Sequence, residues 1–396
     1  MSVNNTESSF LRYAGGPTAR IAKLTNKSVM ATPAERDAAD ELADVQRNAL
    51  KSVAPDLHRV LDENLTATLE ARREVSRKTL KRYALAAGRV NRDGKPMIRD
   101  DVMVAPRYLV PSGTGTQLVS YEASRPPHYS DVESVREIVS ESLKPGQFED
   151  VVSTLESCFV GRRSLPVPIE LSMSTGANVL PVLHSNGEVP VAVLAPRSNA
   201  SSFAGTFGTF GGAVVAGDIG PDGSVLVIGA AGKGSMSAAA RELYEESGRG
   251  LELRYDDLLM VAQADLQVSY GAVEVISGLT LRDLARSTEY ASDKAEFTTI
   301  NGSRVIGVPL TLDHLSAFMC QPTGVDEITF EARMPPWSTA LLLAGAERYL
   351  RGKDFQELTE RIADIGSMKQ AYHAVSADVR NEITAMTSNQ GLTLVR

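Results

Sequence analysis

From Asp56 to about Ala87 apolar residues recur mostly at three- and four-residue steps, with Leu57, Val60, Leu61, Leu65, Leu69, Val75 and Leu80 on one face. That period predicts one long amphipathic helix, and Gly88 stands where it would end. Upstream, Thr32, Pro33 and Glu35 supply an N-cap, a first-turn proline and a capping-box glutamate for a helix running to about Ser52, and Pro55 restarts the next. Residues 1–31 are polar, rich in Gly, Asn, Ser and Thr and without period, and read as a flexible arm. Beyond Gly88 a loop-rich stretch leads to Ser130-Asp131-Val132-Glu133, a second capping box, and two short helices. Residues 32–163 are thus expected to form a helical domain. Its long apolar stripe must bury against something, so a homo-oligomer joined through these helices is expected.

Over Gly161–Pro168 the period shortens to that of strands, and a domain boundary is placed there. Two strands flank Asn186-Gly187, a dipeptide that accepts the positive φ of a tight hairpin. Further strands are expected at about Ala213–Ala216, Val225–Ile228, Leu259–Ala262, Val273–Ser277 and Arg304–Gly307. Helices are expected at Ala238–Ser247 and after Pro336, and residues 353–396 form a helical C-terminal extension that frays into a polar tail.

Composition adds mainly exclusions. Lys+Arg number 41 and Asp+Glu 49, a net charge of -8, so the molecule as a whole is no polyanion binder. One local exception is Arg72, Arg73, Arg77, Lys78, Lys81 and Arg82; nucleic acid is one reading of this cluster, and pairing with acidic surface elsewhere is the commoner cause. Cys158 and Cys320 lie far apart, and the five histidines at 58, 128, 184, 314 and 373 have no metal spacing. No apolar run approaches the ~18 residues of a membrane helix, and the polar N-terminus is unlike a signal peptide, so a cytoplasmic or intraviral location is expected. Trp337, after two prolines, is expected in the core.

The chemically informative segment is AAARELYEESG. On a helix Glu242, Glu245 and Glu246 stand at i, i+3 and i+4, so three carboxylates share one face. Like charges at that spacing repel, and the arrangement becomes favourable when a divalent cation or basic partners neutralise it. Hard carboxylate oxygens suit Mg²⁺ or Mn²⁺, which in turn hold phosphate oxygens.

Arg241-Glu242-Leu243-Tyr244-Glu245-Glu246-Ser247-Gly248 resembles the RExxEExG half of the Nudix box. The glycine-rich opening of that box is not at its usual distance, where Val227 and Lys233 stand. It matches further back, where Gly212 is followed after five residues by Asp218 in place of the family's glutamate. The spacer 219–240 is then about fifteen residues longer than the family's and reads as a projecting, dispensable hairpin. The resemblance covers about 165–352, under half the chain, and implies an α+β fold: a Nudix-like α/β/α sandwich with a mixed sheet over 164–352. It also implies Mg or Mn held by Glu242, Glu245 and Glu246, with Arg241 orienting the carboxylates. Gly212, Asp218 and Gly248 would support the box, and a downstream acid would add a metal ligand, Glu296 first and Glu327 or Glu331 as alternatives. The implied activity is hydrolysis of a nucleoside diphosphate linked to another moiety.

Two other readings remain. The long spacer, the Asp218 exchange and the added helices suit a Nudix-derived structural or interaction module without turnover. Alternatively, strand 225–228, Gly229, Gly232 and Gly234, and the following helix resemble the phosphate loop of a Rossmann or methyltransferase domain, although neither GxGxxG nor GxxxxGK[ST] is intact.

Overall fold

The computed structural model describes residues 8–14, 18–23, 39–86, 88–98, 100–104, 109–111, 118–121, 128–144, 146–158, 168, 170–185, 187–198, 203, 205–219, 224–228, 237–249, 256–263, 265–292, 296–322 and 333–388. Strands β1 (Ser8–Leu11) and β2 (Ala19–Lys23) come first, then helices α1 (Ala39–Val53), α2 (Pro55–Asp62) and α3 (Leu65–Ala86). β3 (Leu109–Pro111) and β4 (Leu118–Tyr121) precede α4 (Tyr129–Ser142) and α5 (Gln147–Cys158). β5 (Thr175–Leu183), β6 (Val191–Pro196), β7 (Phe207–Gly208), β8 (Phe210–Ala213) and β9 (Ser224–Ile228) lead into α6 (Ala238–Ser247). β10 (Asp256–Ala262), β11 (Val268–Ile276), α7 (Leu281–Ser287) and β12 (Ile306–Pro309) follow. The last five helices are α8 (Leu312–Met319), α9 (Pro336–Tyr349), α10 (Gly352–Ile362), α11 (Ile365–Ala374) and α12 (Ala377–Thr387).

The main sheet has the order β1-β2-β10-β11-β5-β6-β12, with β7 on β6 and β8 on β5. β11 runs parallel to β5 and the other described pairs are antiparallel, so the class is α+β with a mixed sheet. Strand alternation divides the apolar residues between two clusters. On β6, Val193 and Ala195 face the first, whereas Ala192 and Leu194 face the second. The first cluster joins Leu50, Leu57, Val135 and Val151 of the N-terminal helices to Val179 and Leu243. The second joins Leu180 and Val273 to Leu315, Leu341 and Leu358 of the C-terminal helices. Helices therefore cover both faces of the sheet. The expected boundary at 161–168 lies almost wholly outside the described residues, and the elements on either side of it share one core.

Several expectations are corrected. The polar arm contains β1 and β2, and β2 pairs with β10 through Lys23↔Leu259 to Arg20↔Ala262, which places the chain's start at the edge of the main sheet. The single helix over 56–87 is two, because the chain turns at Asn64 (φ 92). Asparagine tolerates this left-handed geometry, and its Oδ1 then accepts the Ala67 N–H at 3.2 Å to begin α3. Gly88 (φ 66) does close that helix, with Gly88 N–H on Leu85 O and Arg89 N–H on Ala84 O. Helix α4 begins earlier than the Ser130 capping box: Asp131 caps it by accepting the His128 N–H at 2.9 Å. The start of α1 at Thr32–Glu35 lies outside the described residues. The strands flanking Gly187 pair antiparallel, but the link is a longer loop over 184–190.

In the apolar stripe of α2 and α3, Leu57, Leu61, Leu69 and Leu80 are buried within the chain itself, whereas Val75 is exposed. The basic cluster is largely paired in the same way: Arg72 meets Glu141, Arg73 meets Asp131 at 3.2 Å, and Arg77 meets Asp100 at 3.1 Å. Among the described residues no helix is long and apolar enough to cross a membrane.

The spacer is not a projecting hairpin. β9 pairs with β4 in a separate three-stranded antiparallel sheet of order β3-β4-β9, and Val225, Val227 and Ile228 are fully buried in the first core cluster. An antiparallel β9 outside the main sheet also removes the Rossmann-like reading, which needs a parallel strand feeding the glutamate helix. Ile228→Ala should therefore lower the unfolding free energy by about 2–5 kcal/mol in urea titration, as for a fully buried aliphatic side chain, whereas a dispensable hairpin would lose ~0.5 kcal/mol or less.

Candidate active site

Helix α6 is set by its caps. Ser237 Oγ accepts the Ala240 N–H at 3.2 Å, and Gly248 ends the helix in the left-handed conformation, with φ 68. No other residue fits there, since a Cβ at Gly248 would lie 2.3 Å from the Ser287 carbonyl oxygen. Leu243 points into the core while Glu242 and Glu246 turn toward β8. The approach is close: a Cβ at Gly212 would sit 2.5 Å from the Glu242 carboxylate. Gly211 N–H donates to Glu246 Oε2 at 2.6 Å.

Arg241 joins the two halves of the split motif. Its Nε donates to Asp218 Oδ1 at 2.7 Å and its Nη2 to Oδ2 at 2.9 Å, a bidentate pair formed across the whole spacer. Nη1 lies 2.9 Å from Glu242 Oε1 and 3.0 Å from Glu245 Oε2. Asp218 is itself fixed, its Oδ2 accepting the Val215 N–H at 3.0 Å. Burial pulls the Arg241 pKa down, but Asp218, Glu242 and Glu245 together outweigh it and hold the guanidinium above its ordinary value.

The glutamates differ in environment. Burial pushes the Glu242 carboxyl up to about 8; Arg241 opposes the shift, and Glu245 and Glu296 add to it. Glu246 is raised well above the usual carboxyl range, by burial first and then by Glu296 and Glu242, with Arg197 and the Gly211 N–H opposing. Its Oε1 is buried without a hydrogen-bond partner. Glu245 is a third exposed, at the mouth of the site. Glu296 joins the group from the far side: its carbonyl accepts the Ser198 N–H at 2.8 Å beyond the end of β6, and Arg89 approaches its carboxylate at 3.6 Å. Glu327 and Glu331 lie outside the described residues.

Glu242, Glu246 and Glu296 form the donor set that a divalent cation prefers, and an unpartnered buried oxygen on Glu246 fits a positive ligand. As the side chains stand, with Glu242 and Glu245 turned to Arg241, no group of three His, Cys, Asp or Glu among the described residues is placed to hold one ion. A divalent cation held there would compete with Arg241 for Glu242 and Glu245.

Glu246 lies buried behind Arg241, Glu242, Glu245 and Glu296, which line one end of a cavity of about 510 Å³. Its walls come from both sides of the expected domain boundary, with Tyr83 on α3 and Tyr129 and Arg136 on α4 facing the site. Sequence reading did not single out these residues, nor Arg197, Thr175 or Gln263; a run of uncharged polar residues at strand ends, Ser174-Thr175 and Gln267-Val268-Ser269, was the available signal.

No protein-family model matches the sequence, and no curated protein matches it. Among solved structures, the chain is similar to a mutT/nudix family protein from Listeria innocua at 12% identity and a TM-score of 0.24, over 44% of this chain and 92% of that one.

A carboxyl raised on folding binds its proton more tightly in the native state, so stability falls as pH rises from the unfolded value near 4.5 to the folded value and then levels off. Metal-free protein should accordingly lose melting temperature between about pH 4.5 and 8. Glu242→Gln should flatten part of that slope, and an unchanged slope would show that Glu242 is ionised throughout.

Proposed function

We propose that the chain is a Nudix-type, divalent-cation-dependent hydrolase acting on the phosphoanhydride of a nucleoside diphosphate derivative. The observation that carries this reading is the bidentate Asp218–Arg241 pair. Alignment of the split motif requires that contact, and chance placement of two residues separated by the spacer does not. Further support comes from the close seating of Glu242 and Glu246 on the glycine-rich β8 and from Glu296 beside them.

A divalent cation, when bound, supplies positive charge for phosphate oxygens and acidifies water. The chain's own residues do the rest. Asp218 locks the Arg241 guanidinium, which sets the rotamers of Glu242 and Glu245. The Gly211 N–H fixes one oxygen of Glu246 and leaves the other buried without a hydrogen-bond partner. Glu242 or Glu245, released from Arg241, accepts the proton of the water that attacks phosphorus as the bridging P–O bond breaks.

One observation favours a second reading, a Nudix-derived module without turnover: Arg241 already holds Asp218, Glu242 and Glu245 in one ion network. Glu246→Gln separates the two. It removes a buried charge while keeping an acceptor for Gly211, so the metal-free melting temperature should stay or rise. The increase produced by millimolar Mn²⁺ in wild type should disappear, and hydrolysis of ADP-ribose, NADH, dinucleoside polyphosphates, coenzyme A or capped RNA should fall by ~10²-fold or more for whichever is turned over. No Mn²⁺-dependent shift in wild type, together with destabilisation by Glu246→Gln, would support the module.

A further inference from the structure

Away from the cavity, an arginine stands among aromatic rings in the C-terminal helical layer. Arg333, three residues before α9, places its guanidinium carbon 6.0 Å from the centre of the Phe207 ring. Its Nε and Nη1 are buried and have no hydrogen-bond partner, and among the described residues no carboxylate forms an ion pair with it. Burial pulls its pKa below the ordinary arginine value, with the Tyr13 and Tyr372 phenols opposing, yet a guanidinium remains charged at neutral pH. Neighbouring groups do not neutralise it. The Tyr13 hydroxyl donates to Met319 O at 2.7 Å, and the start of α9 is the positive end of that helix dipole. A buried cation without a counter-charge is costly to keep, so its retention calls for an explanation.

A second arginine neighbours the same tyrosine. Arg380, in the first turn of α12, holds its guanidinium carbon 5.4 Å from the centre of the Tyr372 ring, and its Nε is likewise buried without a partner. Nearby charged groups are matched elsewhere: Arg361 on α10 pairs with Glu357 and donates to Ser316 Oγ at 2.8 Å. Asp364 accepts the Ser367 N–H at 2.9 Å as the cap of α11, and Glu382 meets His314 at 3.4 Å. Two guanidiniums without acidic partners therefore flank one aromatic side chain, in a chain whose net charge is -8. Arg333, Tyr372 and Arg380 each keep part of their surface exposed, which opens the group to solvent on one side. None of the three lines the cavity.

We propose that Arg333 and Arg380, on either side of Tyr372, form a binding site for a phosphate dianion in the C-terminal helical layer, separate from the cavity. Two positive charges match the dianion better than the single charge of a carboxylate, and each planar guanidinium can donate two N–H groups to phosphate oxygens. Turning toward the opening gives the buried N–H groups the partners they lack within the protein. The surrounding rings of Phe207, Tyr13 and Tyr372 lower the local dielectric and strengthen the attraction. Inorganic phosphate and the end of a phosphate monoester present the same chemistry here. The site goes beyond the hydrolase reading and stands or falls independently of it.

The test uses full-length protein without metal, titrated calorimetrically at neutral pH and constant ionic strength with inorganic phosphate, phenyl phosphate and acetate. At least one of the two phosphates should bind, and acetate should bind more weakly than either. Arg333→Gln removes a buried cation without a partner, so it should keep or raise the melting temperature while weakening the bound phosphate about tenfold or more. Arg380→Gln should weaken it to a similar degree, which keeps the proposal open to test should the first variant fold poorly. Tighter binding of inorganic phosphate assigns the site to the free ion, and tighter binding of phenyl phosphate assigns it to an esterified one. Binding of neither phosphate, acetate bound as tightly as phosphate, or phosphate affinity unchanged by both substitutions overturns the site; in the last case the anion is held elsewhere, as in the cavity.

Discussion

A single guanidinium organises the centre of this molecule. Arg241, three-quarters buried, is held by both oxygens of Asp218 and touches Glu242 and Glu245. One guanidinium is shared among three neighbouring carboxyls, and because a buried charge without a partner costs several kcal/mol, burial holds the Glu242 carboxyl up to about 8. The pairing therefore constrains everything around it. It draws the turn after β8 against α6 and sets the distance between that helix and the sheet.

Around that centre the chain is built as helices over both faces of one mixed sheet, and the division of labour follows the faces. On one side α8 to α12 bury Leu180, Leu194 and Val273 in an ordinary apolar layer. On the other, the first cluster is interrupted by the cavity, where the N-terminal helices stand off from the strand ends and meet them through ion pairs such as Arg136–Asp265. The cavity thus has one wall from α6, one from the strands and one from α3 and α4, which precede β5 in sequence.

Legibility in the sequence varied with the range of the interaction concerned. Helix α6 was readable to the residue because its caps, Ser237 and Gly248, and its charge pattern are local, and Asp218 was identified because a motif fixes its distance from Gly212. The split at Asn64 was missed since the apolar period continues through it, and only the side chain's ability to cap α3 explains the turn. The spacer was misjudged for a physical reason: SVLVI reads as one arm of a hairpin unless one knows that Leu118–Tyr121, far upstream, supplies its partner. Likewise nothing in a polar, period-free start announces β1 and β2, whose strand conformation is imposed by the edge of β10. The uncharged polar residues lining the cavity were invisible because hydroxyl and amide side chains gain meaning only when the strand ends are brought together.

The pairing of Lys23 with Leu259 has a further consequence, for the order of assembly. The edge of β10 is closed by β2, a segment more than two hundred residues earlier in sequence, so the chain must hold that segment available while the residues between them emerge. Long-range antiparallel closure of this kind is entropically late and slow. Until it happens β10 presents open N–H and C=O groups to other chains. A polar, charge-bearing β2 with Arg20 and Lys23 suits that wait, since it stays soluble while unpaired and has little tendency to pair with a copy of itself.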